Sequence, residues 1–146
     1  MATIGIDCEI ILDGSGYFVK PATYALKQPR IRKATTRADG GLAYVDLGPG
    51  KRVWSMVILC VNELKKYDGS LSGLSGQQYR DALRTSYTGS IGTTVNFTDP
   101  LSGATIAVHF DAYEERVLNL HSQIIASATG GSVGASYEVA IALQEA

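Results

Sequence analysis

The chain has no dominant charge. In 146 residues, 13 Lys and Arg face 14 Asp and Glu for a formal net charge of −1, which excludes a strongly basic nucleic-acid binder as a description of the whole molecule. It also has no long hydrophobic run. The longest, Met56 to Val61, falls far short of the roughly 18 residues a membrane span needs, so no membrane partner is expected. Cysteine is scarce: Cys8 and Cys60 each lie inside an apolar stretch, Ile6 to Leu12 and Val53 to Val61. Both read as buried free thiols, a disulfide between them being the lesser alternative. The first residues show no basic segment followed by an apolar run, so no signal peptide is expected and folding in a cytoplasm follows. With 45% hydrophobic and 18% charged residues, the chain is too apolar for disorder and too polar for a membrane protein.

The motifs of common chemistries are missing as well. Gly14-Ser15-Gly16, Gly73-Leu74-Ser75-Gly76 and Gly89-Ser90-Ile91-Gly92 lack the spacing of a nucleophile elbow. Gly48-Pro49-Gly50-Lys51-Arg52 lacks that of a phosphate loop and leads into a strand rather than a helix. Asp13-Gly14-Ser15 and Asp68-Gly69-Ser70 lack the repeated oxygens of a calcium loop. His109 and Asp111 share a strand parity, with Glu115 and His121 further along, but these spacings match no zinc pattern. No catalytic, cofactor-binding or metal residue is therefore assigned, no cofactor is expected, and a noncatalytic role is preferred.

What is present is β-structure. The 16 glycines, with many Val, Ile, Thr and Tyr, suggest strands separated by tight turns. Cys8 to Leu12 and Tyr17 to Val19 read as extended pieces around an Asp13-Gly14-Ser15-Gly16 turn, and Ala38-Asp39-Gly40-Gly41 as a hairpin turn. Leu42, Tyr44 and Leu47 lead into a second turn at Gly48-Pro49-Gly50. Arg52 to Val61 is the strongest strand. Trp54, Met56 and Ile58 share one face of it, and its apolar second half marks a central position.

Ser75-Gly76-Gln77-Gln78 has the capping-box form and predicts a helix over about 76–87. Tyr79, Ala82, Leu83 and Tyr87 lie on its core face, with Arg80, Asp81 and Arg84 on the other side. Thr94 to Thr98 and Ala104 to Phe110 form a hairpin around Asp99-Pro100, and Arg116 to Ala128 reads as a separate extended segment. Gly130-Gly131 reads as a turn. Tyr137, Val139, Ile141 and Leu143 put four side chains on one face of a closing strand. The core predicted from these patterns is Trp54, Met56, Ile58, Tyr79, Leu83, Phe97, Val108, Phe110, Val139, Ile141 and Leu143. No linker divides the chain, so residues 1–146 are expected to form a single, mainly β domain, an antiparallel β-sandwich or split barrel with one packed α-helix.

One local charge asymmetry stands out. Between Lys27 and Arg52 lie seven of the thirteen basic residues and only two acidic ones, Asp39 and Asp46. Arg30, Arg32, Lys33 and Arg37 are the candidate interface residues. They could meet phosphates while Tyr24 and Tyr44 stack bases, or remain plain solvated surface. The preferred reading is a positive face that pairs with an acidic face on a partner or a neighbouring copy; sequence-specific nucleic-acid binding is not expected.

A resemblance rests on the order of several segments. The basic stretch is followed by Thr36-Arg37-Ala38-Asp39-Gly40-Gly41, by Tyr44-Val45-Asp46-Leu47-Gly48-Pro49-Gly50-Lys51-Arg52-Val53-Trp54-Ser55-Met56, and by the Tyr79-Arg80-Asp81-Ala82-Leu83-Arg84 helix. Phe97-Thr98-Asp99-Pro100, Val108-His109-Phe110 and a closing Tyr137 to Ala146 complete it. Over about residues 30–146 this order resembles small tail proteins of long-tailed bacteriophages, nearest the distal tail (Dit-like) and baseplate-adaptor group. The resemblance implies a structural subunit of the virion tail, assembled in the host bacterial cytoplasm as a homo-oligomeric ring, often six-fold, in contact with other tail or baseplate proteins. Tube, distal, adaptor and terminator positions all remain open, and residues 1–29 match no part of that pattern. The alternative from a different class is a carbohydrate- or surface-binding β module, which requires Trp54 and the tyrosines to line an exposed groove.

Overall fold

The computed structural model describes residues 3–62, 64–119 and 136–146. In chain order its elements are β1 (Ile10–Leu12), β2 (Ser15–Val19), β3 (Ala25–Lys27), β4 (Arg30–Thr36), β5 (Leu42–Pro49), β6 (Val53–Cys60), α1 (Gly76–Gly89), β7 (Val95–Thr98), β8 (Thr105–Asn119) and β9 (Ser136–Glu145). The predicted class holds: the structure is mainly β, antiparallel, with one packed helix. Among the described residues no helix is long and apolar enough to cross a membrane.

The main sheet runs β2-β1-β7-β8-β9-β6-β3, and β2 also pairs with β6 through Phe18↔Leu59 and Val19↔Ile58. That second pairing closes β1, β2, β6, β7, β8 and β9 into a barrel-like wall. β3 continues along the edge of β6 opposite Val53 to Ser55. Alternation explains why the wall closes. Ile10 and Leu12, Tyr17 and Val19, Trp54 to Cys60, Val95 and Phe97, and Tyr137 to Leu143 all send every second side chain inward, into one core cluster. All eleven residues expected in the core are buried. Trp54 sits against Phe97 with ring centroids 5.4 Å apart. At the β1–β2 turn Asp13 and Gly14 both take positive φ, 52° and 80°, the backbone that suits a two-residue hairpin.

The helix begins as its sequence requires. Ser75 accepts a hydrogen bond from the Gln78 N–H at 3.2 Å, and the Gln78 side chain accepts one from Ser75 N–H at 2.9 Å. Tyr79 and Leu83 are buried against the barrel, and Tyr87 stacks on Tyr113 of β8 at 5.5 Å. Arg80 departs from expectation. Its side chain is only 15% exposed; it lies over the Tyr137 ring at 5.0 Å, with Nε 3.6 Å from Glu115 Oε1. A long aliphatic stem lets a cation serve the core-facing side while its head finds a carboxylate and a ring.

β8 is the other departure. Where two separate extended pieces were expected, it runs unbroken from Thr105 to Asn119. It pairs first with β7 (Val95↔Val108 to Thr98↔Thr105) and then with β9 (Val108↔Glu145 to Asn119↔Ser136). A bulge between Phe110 and Ala112 leaves Asp111 as an extra residue. From there the inward parity passes to Tyr113, Glu115 and Val117, opposite buried Ile141, Val139 and Tyr137. The expected turn at Gly130-Gly131 and the end of the Arg116 to Ala128 segment lie outside the described residues.

Candidate functional site

The four candidate interface residues fall on one element. β4 and β5 form a two-stranded sheet of their own, separate from the barrel, with Arg30, Arg32 and Lys33 on β4 and Arg37 in the turn at its tip. The pairing runs from Arg30↔Pro49 to Thr36↔Leu42, interrupted by a bulge that leaves Leu47 extra. At the tip the Asp-Gly signal works as predicted: Gly40 takes φ 87°, Arg37 N–H donates to Gly41 O at 2.7 Å, and Asp39 accepts from Gly41 N–H at 2.9 Å. The segment expected to turn at Gly48-Pro49-Gly50 instead continues β5 and then closes the base of the hairpin. There Gly50 N–H donates to Pro29 O, and a Cβ on Gly50 would lie 2.8 Å from that oxygen.

Every residue of β4 is exposed, as is every residue of β5 except the half-buried Ala43 and Gly48. Alternation puts Arg30, Arg32, Ala34 and Thr36 on one face with Leu42 and Tyr44; Ile31, Lys33 and Thr35 lie on the other with Ala43 and Val45. Both faces thus carry large apolar side chains in solvent. Ile31, Leu42, Tyr44, Val45 and Leu47 are each between 48% and 66% exposed. An isolated two-stranded ribbon is marginally stable at best, and apolar groups on both of its faces add surface that water disfavours.

Charge on this arm is only partly satisfied. Arg30 Nη1 pairs with Asp46 Oδ2, and that guanidinium, followed by the Gly48 N–H, holds the Asp46 carboxyl below the usual carboxylate range. Arg32, Lys33 and Arg37 carry no ion pair among the described residues. The basic-stretch reading grouped these cations, and the structure places them on one arm. That reading missed that the apolar residues interleaved with them face solvent, because in sequence such alternation is indistinguishable from a half-buried strand.

Trp54 is fully buried, between Phe97 and the guanidinium of Arg52, which lies 5.1 Å above its ring; it cannot line an exposed groove. One groove has a volume of about 380 Å³ and is lined by residues that include Ile4, Ile10, Val19, Pro21, Tyr24 and Tyr67. Its polar anchor is internal: the Tyr24 hydroxyl donates to Asp99 Oδ1 at 3.0 Å, and burial together with that carboxylate pushes the phenol up.

His109 and Asp111 are exposed and line a pocket of about 230 Å³ with Tyr87, Ser90 and Thr93. Asp111 is the bulge residue of β8, and His121 lies outside the described residues. No group of three or more His, Cys, Asp or Glu side chains converges among the described residues. Cys8 and Cys60 are both buried and unpaired; burial pushes the Cys60 thiol up to about 12.

Compared with known proteins, the chain matches no family model and no curated sequence.

Proposed function

We propose that this chain is a structural subunit of a bacteriophage tail or tail-like particle, noncatalytic, that assembles with copies of itself into a ring. The observation that carries the reading is the β4–β5 arm. A ribbon that is apolar on both faces and holds three unpaired cations suits a contact in which those surfaces are covered. The order of sequence motifs supplies the tail assignment, and a closed barrel with a projecting arm suits a repeating subunit: the wall provides rigidity and the arm reaches a neighbour. Head-to-tail contacts of one kind close into a ring when their rotation divides a full circle.

Negative-stain microscopy of the purified protein, combined with sedimentation velocity across a wide concentration range, tests this. Annular particles of uniform diameter are expected. Monomers alone at the highest concentration, with no tail protein able to gather them, would overturn the reading.

A further inference from the structure

Among the described residues, β8 lacks a second partner along part of its length. β7 covers it only up to Val108, and the connection from α1 to β7 abuts His109 to Asp111, where Ser90 to Thr93 line the same pocket. From Ala112 to Leu118 no described strand pairs with the edge facing away from β9. Such an edge presents a row of backbone donors and acceptors ready for another strand.

The charges along this edge are distinctive. Every described Asp and Glu side chain except two has a hydrogen bond or an ion pair. The two exceptions are Asp111 and Glu114, and both lie on β8 beside the open stretch. The arm holds cations without partners, and among the described residues the barrel's free carboxylates stand along this open stretch of β8.

Building on the ring reading, we infer that the outer edge of β4 in one copy pairs antiparallel with the open edge of β8 in the next, with Lys33 opposite Glu114 and Thr35 opposite Ala112. This register follows from the charges. It places Arg32 at Glu115 and Arg37 beyond Thr36, toward Asp111. It also sets Arg116, the one cation on the open stretch, against Ile31 rather than against another cation. The seven residues of β4 then span Asp111 to Val117. The contact joins two different surfaces, so each copy still offers one arm and one edge after pairing, as a closed ring requires.

The register is read directly by cysteine cross-linking between two variant chains, Thr35→Cys and Ala112→Cys. Both positions are exposed and both native cysteines are buried. Residues directly opposite on antiparallel strands stand within disulfide reach. Oxidising a mixture of the two variants is expected to give a covalent dimer that neither variant gives alone. Charge reversal provides the second arm: Lys33→Glu or Glu114→Lys should each weaken assembly about tenfold or more, and the double variant should recover most of it.

Wild-type rings that resist both cross-linking and charge reversal would overturn this contact and leave the ring reading standing. A specific cross-link between chains that never exceed a dimer would uphold the contact and overturn the ring. Absence of both cross-link and assembly would overturn the two together.

Discussion

Removing the arm separates its contribution to folding from its contribution to association. Gly50 N–H already bonds to Pro29 O, so a two-residue Asn-Gly turn in place of residues 30–49 would join chain ends that already meet. Because β4 and β5 are exposed almost throughout, the barrel gives up little buried surface, and its melting temperature should move by no more than ~2 °C. Association is a different matter. Ile31, Leu42, Tyr44, Val45 and Leu47 each keep roughly half of their surface in water. Covering that half at ~1 kcal/mol per side chain offers a gross ~5 kcal/mol per arm. Its loss should weaken assembly by about a thousandfold or more. Thermal circular dichroism reads the first quantity and sedimentation velocity the second. A fall in melting temperature beyond ~10 °C would mean that the arm belongs to the folding unit, and undiminished assembly would mean that it joins nothing; either result refutes the reasoning.

Gly50→Ala puts a Cβ 2.8 Å from Pro29 O, so the base of the arm must shift; a cost of about 1–3 kcal/mol and weakened assembly are expected by urea denaturation and sedimentation. Leu83→Ala empties a fully buried position beneath the helix and should cost about 2–5 kcal/mol, whereas Ser75→Ala removes only the cap and should cost about 1 kcal/mol; equal losses in chemical denaturation would contradict the packing described for α1. Burial raises the Cys60 thiol from its ordinary 9.0 to about 12, so the unfolded chain releases this proton first. Stability from this site is therefore intact below pH ~9 and declines as pH rises toward ~12, a decline that Cys60→Ala should reduce. In native protein at pH 8 a thiol reagent should find Cys60 unreactive until denaturant is added.

Much of the barrel was legible in the sequence because the alternation is strong and each strand has one wet face. Trp54, Met56 and Ile58 on β6, and Tyr137 to Leu143 on β9, are placed by parity alone, and the capping box at Ser75 set the helix start. Parity tells which side a residue faces but not which strand lies beside it, so the pairing of β2 with β6 that closes the wall was not readable. A bulge is silent in sequence too, which is why β8 looked like two pieces. Arg80 misled through its charge: periodicity put it outside, while Tyr137 and Glu115 hold it at the helix–barrel seam. The candidate interface was visible as a basic stretch, but its isolation from the barrel was not.

The extra residue at Asp111 is what lets the inward side of β8 pass from Val108 and Phe110 to Tyr113, Glu115 and Val117. Its carboxylate makes no hydrogen bond or ion pair among the described residues, so replacing it leaves the wall as it is. Deleting it would leave Phe110 followed directly by Ala112, opposite the consecutive Leu143 and Ala142, so the ladder would run on without a bulge and Tyr113, Glu115 and Val117 would keep their side of the wall. A one-codon loss at this exposed site would thus straighten the strand while leaving the interior side chains where they are.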